Sequence, residues 1–145
     1  MLDLVLAILH HLLVFALFGV IFAELITVRE GIAGATIRRI SALDLSYGIM
    51  AALILIVGFG RAHLAAKGWL YYQHNAFFWA KIGTFAVIGL LSISPTIAFI
   101  RWKRTAMIPT GQQIADVRRY LWLEVGLFTL LPAFAEAMAR GYGAF

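Results

Sequence analysis

The chain contains no cysteine, and it carries few charged residues for its size. Of its 145 residues, 13% are charged and three are proline. The absence of cysteine excludes a disulfide framework and any metal site built on thiolates. A soluble domain is near half apolar and a quarter charged, whereas 63% of this chain is hydrophobic. We therefore interpret it as an all-α integral membrane protein.

Four apolar segments have the length, about 20 residues, that crosses the hydrocarbon core of a bilayer as a helix. They cover residues 4–27, 43–63, 76–100 and 120–139. The first segment lacks the basic start of a cleaved signal peptide, so we interpret it as a retained span. Because the connections are short, residues 1–145 are predicted to form one domain, an up-down antiparallel four-helix transmembrane bundle.

Lysine and arginine are unevenly divided between the two sides that this topology defines. The connections after spans 1 and 3 hold eight of them: Arg29, Arg38, Arg39, Arg101, Lys103, Arg104, Arg118 and Arg119. The opposite side holds three: Arg61, Lys67 and Arg140. Cytoplasmic loops carry the excess of these residues, so both termini are predicted to lie outside (N-out/C-out) in a bacterial inner membrane. The bases lie in connections rather than on one helix face, so the net charge of +5 does not indicate nucleic-acid binding.

Local patterns predict how some helices begin and bend. The spacing of Thr110 and Gln113 is that of a capping box, so the fourth helix is expected to begin just after Thr110, before its span. Pro95 and Pro132 lie within spans 3 and 4 and are expected to kink them or loosen their hydrogen bonds. Span 2 carries small residues that would permit close helix approach, namely Gly48, Ala51 and Gly58.

Polar side chains at membrane depth fall into two predicted layers. The outer layer comprises His10, His11, Arg61, His63, Lys81 and Glu136. The inner layer comprises Glu24, Asp44 and Glu124. Ionisable residues inside a span are expensive, so each is by default a candidate for function.

Helical spacing indicates which of these side chains face the bundle. Residues spaced by seven share one face of span 1: Asp3, His10, Leu17 and Glu24. His11 is rotated by about 100° from His10, so we favour His10 as the inward histidine. A similar stripe runs along span 3: Lys81, Thr84, Ile88, Ser92 and Thr96.

Several of these residues also have a purely structural interpretation. Lys81 lies about one helical turn from the expected outer interface, so it either snorkels there or helps to build a site. Ser92 and Thr96 are expected to bond back to carbonyls of their own helix. Glu124 is either functional or paired with one of the nearby arginines, which are Arg101, Arg118 and Arg119. Glu136 and Arg140 have the spacing of a surface ion pair.

Histidine is the candidate ligand for a metal or a haem. A bis-histidine haem b site needs two imidazoles on different helices at one depth. Only His10 and His11 lie clearly inside the bilayer, and both are on span 1, so no transverse pair exists. His10 is therefore the candidate axial or metal ligand. A second haem ligand would be His63, Lys81 or a methionine such as Met50, unless the position stays open.

Three stretches carry a resemblance to a known family: residues 67–72 (KGWLYY), 77–81 (FFWAK) and 91–96 (LSISPT), followed by Arg101-Trp102. With them, the whole chain resembles a bacterial four-span membrane family called domain of unknown function 2214. More distantly, the layout is similar to CopD-type copper-resistance proteins and HemJ-type protoporphyrinogen oxidases, which also have a histidine early in span 1.

The HemJ type has a lysine at the start of span 3 and an acid early in the last span, which Lys81 and Glu124 match. It has a histidine where this chain has Ser92, and an arginine in the region that Glu24 occupies. The resemblance implies bound haem b and redox chemistry on a porphyrin.

Three functional hypotheses follow. The first is a small haem b- or metal-binding redox protein, with His10 as axial ligand, Lys81 as partner of a propionate, and His11 and His63 nearby. The second is an oligomeric carrier of an ion or small solute, with a path along the Lys81–Ser92 stripe. The third is a structural or assembly subunit without a cofactor, working as a homo-oligomer or with a partner membrane subunit. Whether the protein is an enzyme is left open.

Overall fold

The computed structural model describes residues 1–64 and 68–145 and is built almost entirely from helices. These are α1 (Leu2–Thr27), α2 (Ala35–Leu64), α3 (Gly68–Gln73), α4 (Ala76–Thr105), α5 (Gly111–Phe128) and α6 (Leu130–Ala139). Four helical stretches are long and apolar enough to cross a membrane: α1, α2, α4 and the α5–α6 pair. The predicted all-α, four-span architecture is therefore confirmed. Lys67, which was counted on the outer side, lies outside the described residues.

The spans pack in a ring. Helix α1 lies against α2 and α5, while α4 lies against α2, α5 and α6. Since successive spans run in opposite directions, the neighbours are antiparallel. We call the end of the bundle that carries Met1 and Phe145 the terminal end. The opposite end, with the connections 28–34 and 106–110, is the loop end.

Burial follows the helical period, and the outside of the bundle is apolar. On α4 the buried residues are Phe78, Ile88, Pro95, Phe99 and Trp102. Large apolar side chains on the outer faces are exposed, such as Phe15 (71%) and Leu90 (68%). Lipid, unlike water, imposes no penalty on such a surface, whereas every backbone polar group in it must be paired within the chain.

The fourth span begins with the predicted capping box. The Thr110 hydroxyl accepts a hydrogen bond from the Gln113 amide at 3.3 Å, and the Gln113 side chain accepts one from the Thr110 amide at 3.0 Å. As expected, α5 begins at Gly111, before its apolar span. Helix α2 begins at Ala35 and so extends beyond its span as well.

The two prolines inside spans have different effects. Helix α4 is continuous through Pro95, which is buried. The fourth span is interrupted at Thr129, between α5 and α6. Pro132 lacks an amide hydrogen and its ring crowds the carbonyl four residues earlier, that of Phe128, so the break falls beside that carbonyl. The expected disturbance is confirmed at Pro132, while at Pro95 the helix is not interrupted.

Thr110→Ala is expected to lower the free energy of unfolding by about 1 kcal/mol, because it removes the acceptor that the first turn of α5 uses. Thr105→Ala is the matched control, since the Thr105 hydroxyl donates to the Arg101 carbonyl of its own helix at 2.9 Å and caps no helix. Reversible unfolding in detergent micelles measures both. Equal losses in the two variants would contradict a specific role for the capping box.

Candidate functional site

The terminal end of the bundle holds a cavity of about 660 Å³. This volume lies within the range of pockets that bind small molecules and cofactors. Helices α1, α2, α3, α4 and α6 all contribute to its wall, which is mostly apolar. The charged residues and histidines that line it are Asp3, His10, His11, Arg61, Lys81 and Glu136. The structure thus brings together five of the six residues of the predicted outer layer, together with Asp3.

His10 is the inward histidine, as the spacing on span 1 predicts. Its ring packs against Gly58 of α2, where an added Cβ would lie 3.2 Å from the imidazole Cε1. Nδ1 of His10 is buried and has no hydrogen-bond partner among residues 1–64 and 68–145. His11 is exposed, and its Nδ1 bonds the Ala7 carbonyl at 2.7 Å. The absence of a side chain at Gly58 therefore gives His10 its place between α1 and α2.

Lys81 faces the cavity from the first third of α4. Asp3 already pairs with Arg61 at 3.3 Å, and Glu136 pairs with Arg140 at 2.6 Å, the predicted surface pair. Within the described part of the chain, Lys81 makes no hydrogen bond or ion pair, and it lies close to the positive charge of Arg61. Lys81 therefore gives the cavity wall a positive charge that no carboxylate among the described residues pairs with.

Two predicted haem ligands lie away from the cavity. His63 is exposed, and its ring stacks on Trp69 with the centroids 4.5 Å apart and the planes 8° apart. Met50 packs against the apolar core of the bundle. Met138, which the sequence did not single out, lines the cavity instead, and its carbonyl accepts a hydrogen bond from Tyr71 at 3.0 Å.

The cavity wall also includes Tyr71 and Tyr72 of α3, which sequence analysis did not identify as site residues. Asn75, fully buried, holds the turn that follows α3. Its side chain accepts from the Phe77 amide at 3.0 Å and donates to the Tyr142 carbonyl at 3.0 Å. An asparagine before an apolar run is an N-cap signal, so the sequence could have predicted the helix start at Asn75. It could not have predicted the hydrogen bond from Asn75 to the C-terminal segment.

The inner layer forms a second, deeper cluster of acids. Glu24, Asp44 and Glu124 are 2%, 8% and 1% exposed, and their charges interact. Asp44 accepts a hydrogen bond from Thr96 at 2.7 Å. One oxygen of Glu24 and one of Glu124 are buried without a hydrogen bond to any described residue.

No cation neutralises this acidic cluster within the described part of the chain. Arg118 points instead to the end of α1, where it donates to two backbone carbonyls at 2.8 and 2.6 Å. Arg101 and Arg119 are exposed. Of the two alternatives for Glu124, pairing with an arginine is therefore not found among the described residues. A buried carboxyl group without a partner is costly, which favours a role other than stability for Glu124.

The two hydroxyl residues near Pro95 behave differently from each other. Ser92 bonds back to its own helix, donating to the Gly89 carbonyl at 2.8 Å, as expected. Thr96 does not, because its hydroxyl reaches across to Asp44. The expectation of back-bonding is therefore confirmed for Ser92 and wrong for Thr96.

A band of buried side chains separates the cavity from the acidic cluster. It consists of Leu17, Ile21, Tyr47, Ile54, Ile88, Phe128 and Leu131. On α1, His10 and Glu24 lie about 21 Å apart at 1.5 Å per residue. Among the described residues, no group of three or more histidines and acids is arranged to hold a metal ion.

Replacing Glu124 by methionine is expected to raise the free energy of unfolding by about 1 to 3 kcal/mol, because it removes a buried polar atom that has no partner. The comparison variant is Thr96→Val, which leaves Asp44 without its donor and should lower stability by about 1 kcal/mol. Thermal unfolding in micelles measures both. A loss of stability in Glu124→Met would mean that this carboxyl group is stabilised by a partner.

A family profile described as a predicted membrane protein, DUF2214, matches residues 2–143 of the chain. No curated protein and no solved structure matches the chain. The more distant likeness to CopD-type and HemJ-type proteins stays a prediction from the residues.

Proposed function

The chain belongs to the DUF2214 family of predicted membrane proteins, and from that premise we propose that it binds an anionic, largely apolar cofactor in its terminal-end cavity. The cofactor proposed is haem b, and the role proposed is in redox chemistry. The protein would act as a multi-pass protein of the bacterial inner membrane.

Lys81 is the observation that carries this proposal. A cation on an apolar wall, without a partner in the described residues, is costly until an anion joins it. The cavity is large enough for a cofactor, and its apolar walls include Phe15, Phe59, Phe78 and Phe85. A ligand with a flat apolar body and a carboxylate at one edge would satisfy both features of the cavity.

The residues present fit haem b with one histidine ligand. His10 would hold the iron, and Lys81, with Arg61 beside it, would pair with a propionate. His11 also lines the cavity, but it is exposed and its Nδ1 is bonded to its own helix, and His63 lies outside the lining, so His10 is the imidazole proposed to hold the iron. Met138, which lines the same cavity, would be the other residue able to hold the iron. Haem b supplies one-electron redox chemistry, and its potential depends on its axial ligands and its burial.

The carrier hypothesis is less well supported. A path along α4 from Lys81 to Ser92 would pass Ile88, which is fully buried between α1, α2 and the fourth span. Since the band around Ile88 is apolar, a hydrated ion would lose its water there without gaining ligands. We therefore keep the cavity and the acidic cluster as separate sites.

Reporter fusions test the proposed orientation. With both termini outside, alkaline phosphatase fused after Phe145 should be active, because it folds only after export. The same enzyme inserted in the connection 106–110 should be inactive, since that connection follows the cation-rich end of span 3. The reverse pattern would overturn the N-out/C-out proposal.

The absorption spectrum of protein purified from haem-replete cells tests the cofactor. A Soret band is expected in the unaltered protein, and His10→Ala should abolish it. Lys81→Met should weaken haem binding by about 10- to 100-fold, the value of one charge-assisted hydrogen bond. The same change should leave the haem-free protein at least as stable, since it removes an unpaired cation.

Two glycines of α2 supply a matched control. Gly58→Ala should displace His10 and weaken haem binding, whereas Gly60→Ala meets nothing within 4 Å and should not. The proposal would be falsified if the unaltered protein showed no Soret band and bound added haem no more tightly than the His10→Ala variant does. If the Lys81→Met variant bound haem as tightly as the unaltered protein, Lys81 would have no role in haem binding.

A further inference from the structure

We propose that a cleft at the loop end is a binding site for the phosphate headgroup of an anionic phospholipid. The cleft, of about 510 Å³, lies between the connection 28–34 and the first half of α5. It is lined by Arg29, Glu30, Ile114, Arg118, Arg119 and Trp122, with small residues between them. It lies at the opposite end of the bundle from the haem cavity.

Charge is the first argument. Three arginines and one acid line the cleft, and Arg29 and Arg119 are exposed. None of these arginines forms an ion pair with the described residues. The planar guanidinium group matches phosphate oxygens through paired hydrogen bonds. Arg29 also donates from Nε to the Ile26 carbonyl at 3.2 Å, which leaves its terminal nitrogens for a ligand. The cleft therefore offers a phosphodiester two exposed cations, Arg29 and Arg119, and one cation held in place, Arg118.

Arg118 is the fixed cation. One nitrogen of its guanidinium, Nη1, donates to the carbonyls of Leu25 and Val28 at 2.8 and 2.6 Å. These carbonyls lie at the end of α1, where four carbonyl groups lack partners within the helix. The bonds hold the guanidinium in place but add no carboxylate, so its positive charge remains available to the cleft.

The amino end of α5 is not the binding element. Glu30 already lies beside it, with a carboxylate oxygen 3.1 Å from where a Cβ on Gly111 would be. An acid at this position satisfies the partial positive charge of a helix start. We therefore place the phosphate at the arginines, on the side of the cleft that leads to Trp122.

Trp122 favours a lipid over a soluble phosphate. It is 57% exposed, lines the cleft, and follows Arg118 and Arg119 by about one turn of α5. Tryptophan is enriched at the headgroup level of membranes, and basic pockets beside transmembrane helices bind anionic headgroups. Exposed apolar side chains of α1 and α5, such as Ile26 and Leu123, would face the acyl chains of a lipid bound at this end of the bundle.

Native mass spectrometry of the purified protein, after exchange into defined lipid, tests the site. The unaltered protein should retain phosphatidylglycerol in preference to phosphatidylcholine. The double variant Arg29→Ala/Arg119→Ala should bind phosphatidylglycerol about 10- to 30-fold more weakly, through the loss of two cations. Arg118 is left intact because its bonds to α1 contribute to the fold.

Lys103→Ala/Arg104→Ala is the matched control. It removes two exposed cations from the same end of the bundle but outside the cleft, so it should retain lipid as the unaltered protein does. Equal retention in the two double variants would overturn the site. Equal retention of the two lipids would do the same. If inorganic phosphate displaced the lipid at matched ionic strength, the proposal of a lipid site would be overturned and the cleft would be assigned to a soluble phosphate.

Discussion

The absence of hydrogen-bonding partners in the bilayer is the constraint on which this structure depends. Backbone groups must pair within each span, so all four spans are helical, and the one break within a span falls where Pro132 already prevents regular pairing. Ionisable side chains obey the same constraint. Those at membrane depth turn inward, where they meet one another or a cavity, and the lipid-facing surface keeps large apolar side chains.

Inward-facing polar groups cluster at two depths, and the band between them consists of buried, mostly apolar side chains. At the terminal end the polar groups line a cavity wide enough for a cofactor, and Lys81 has no ion-pair partner there among the described residues. In the inner layer three acids are buried; Thr96 donates a hydrogen bond to Asp44, while one oxygen each of Glu24 and Glu124 has no donor among the described residues. Within residues 1–64 and 68–145, the same helices therefore present an unpaired lysine at one level and unpaired buried acids at the other. An apolar band around Ile88 keeps the levels apart, which is why one chain can hold two independent polar sites.

The orientation of some side chains could be predicted from their spacing along one helix, whereas that of others depended on packing between helices. The heptad Asp3, His10, Leu17 and Glu24 predicted the inward face of α1, and the Thr110 box predicted the start of α5, because both are properties of one helix. His63 was expected near the site, but it stacks on Trp69, a contact set by how α3 folds back. Thr96 was expected to bond to its own helix, yet a carboxyl group on α2 lies within its reach.

The sequence alone determined the number of spans, their approximate ends and the polar faces of spans 1 and 3, since these follow from hydropathy and a period of 3.6 residues. Only the tertiary structure decided which inward residues meet. It placed Arg118 on the carbonyls of α1 rather than on Glu124, and it set His10 against Gly58. Such pairings depend on how each helix is rotated and shifted against its neighbours. Those displacements are set by side-chain packing across the whole bundle, which no single segment encodes.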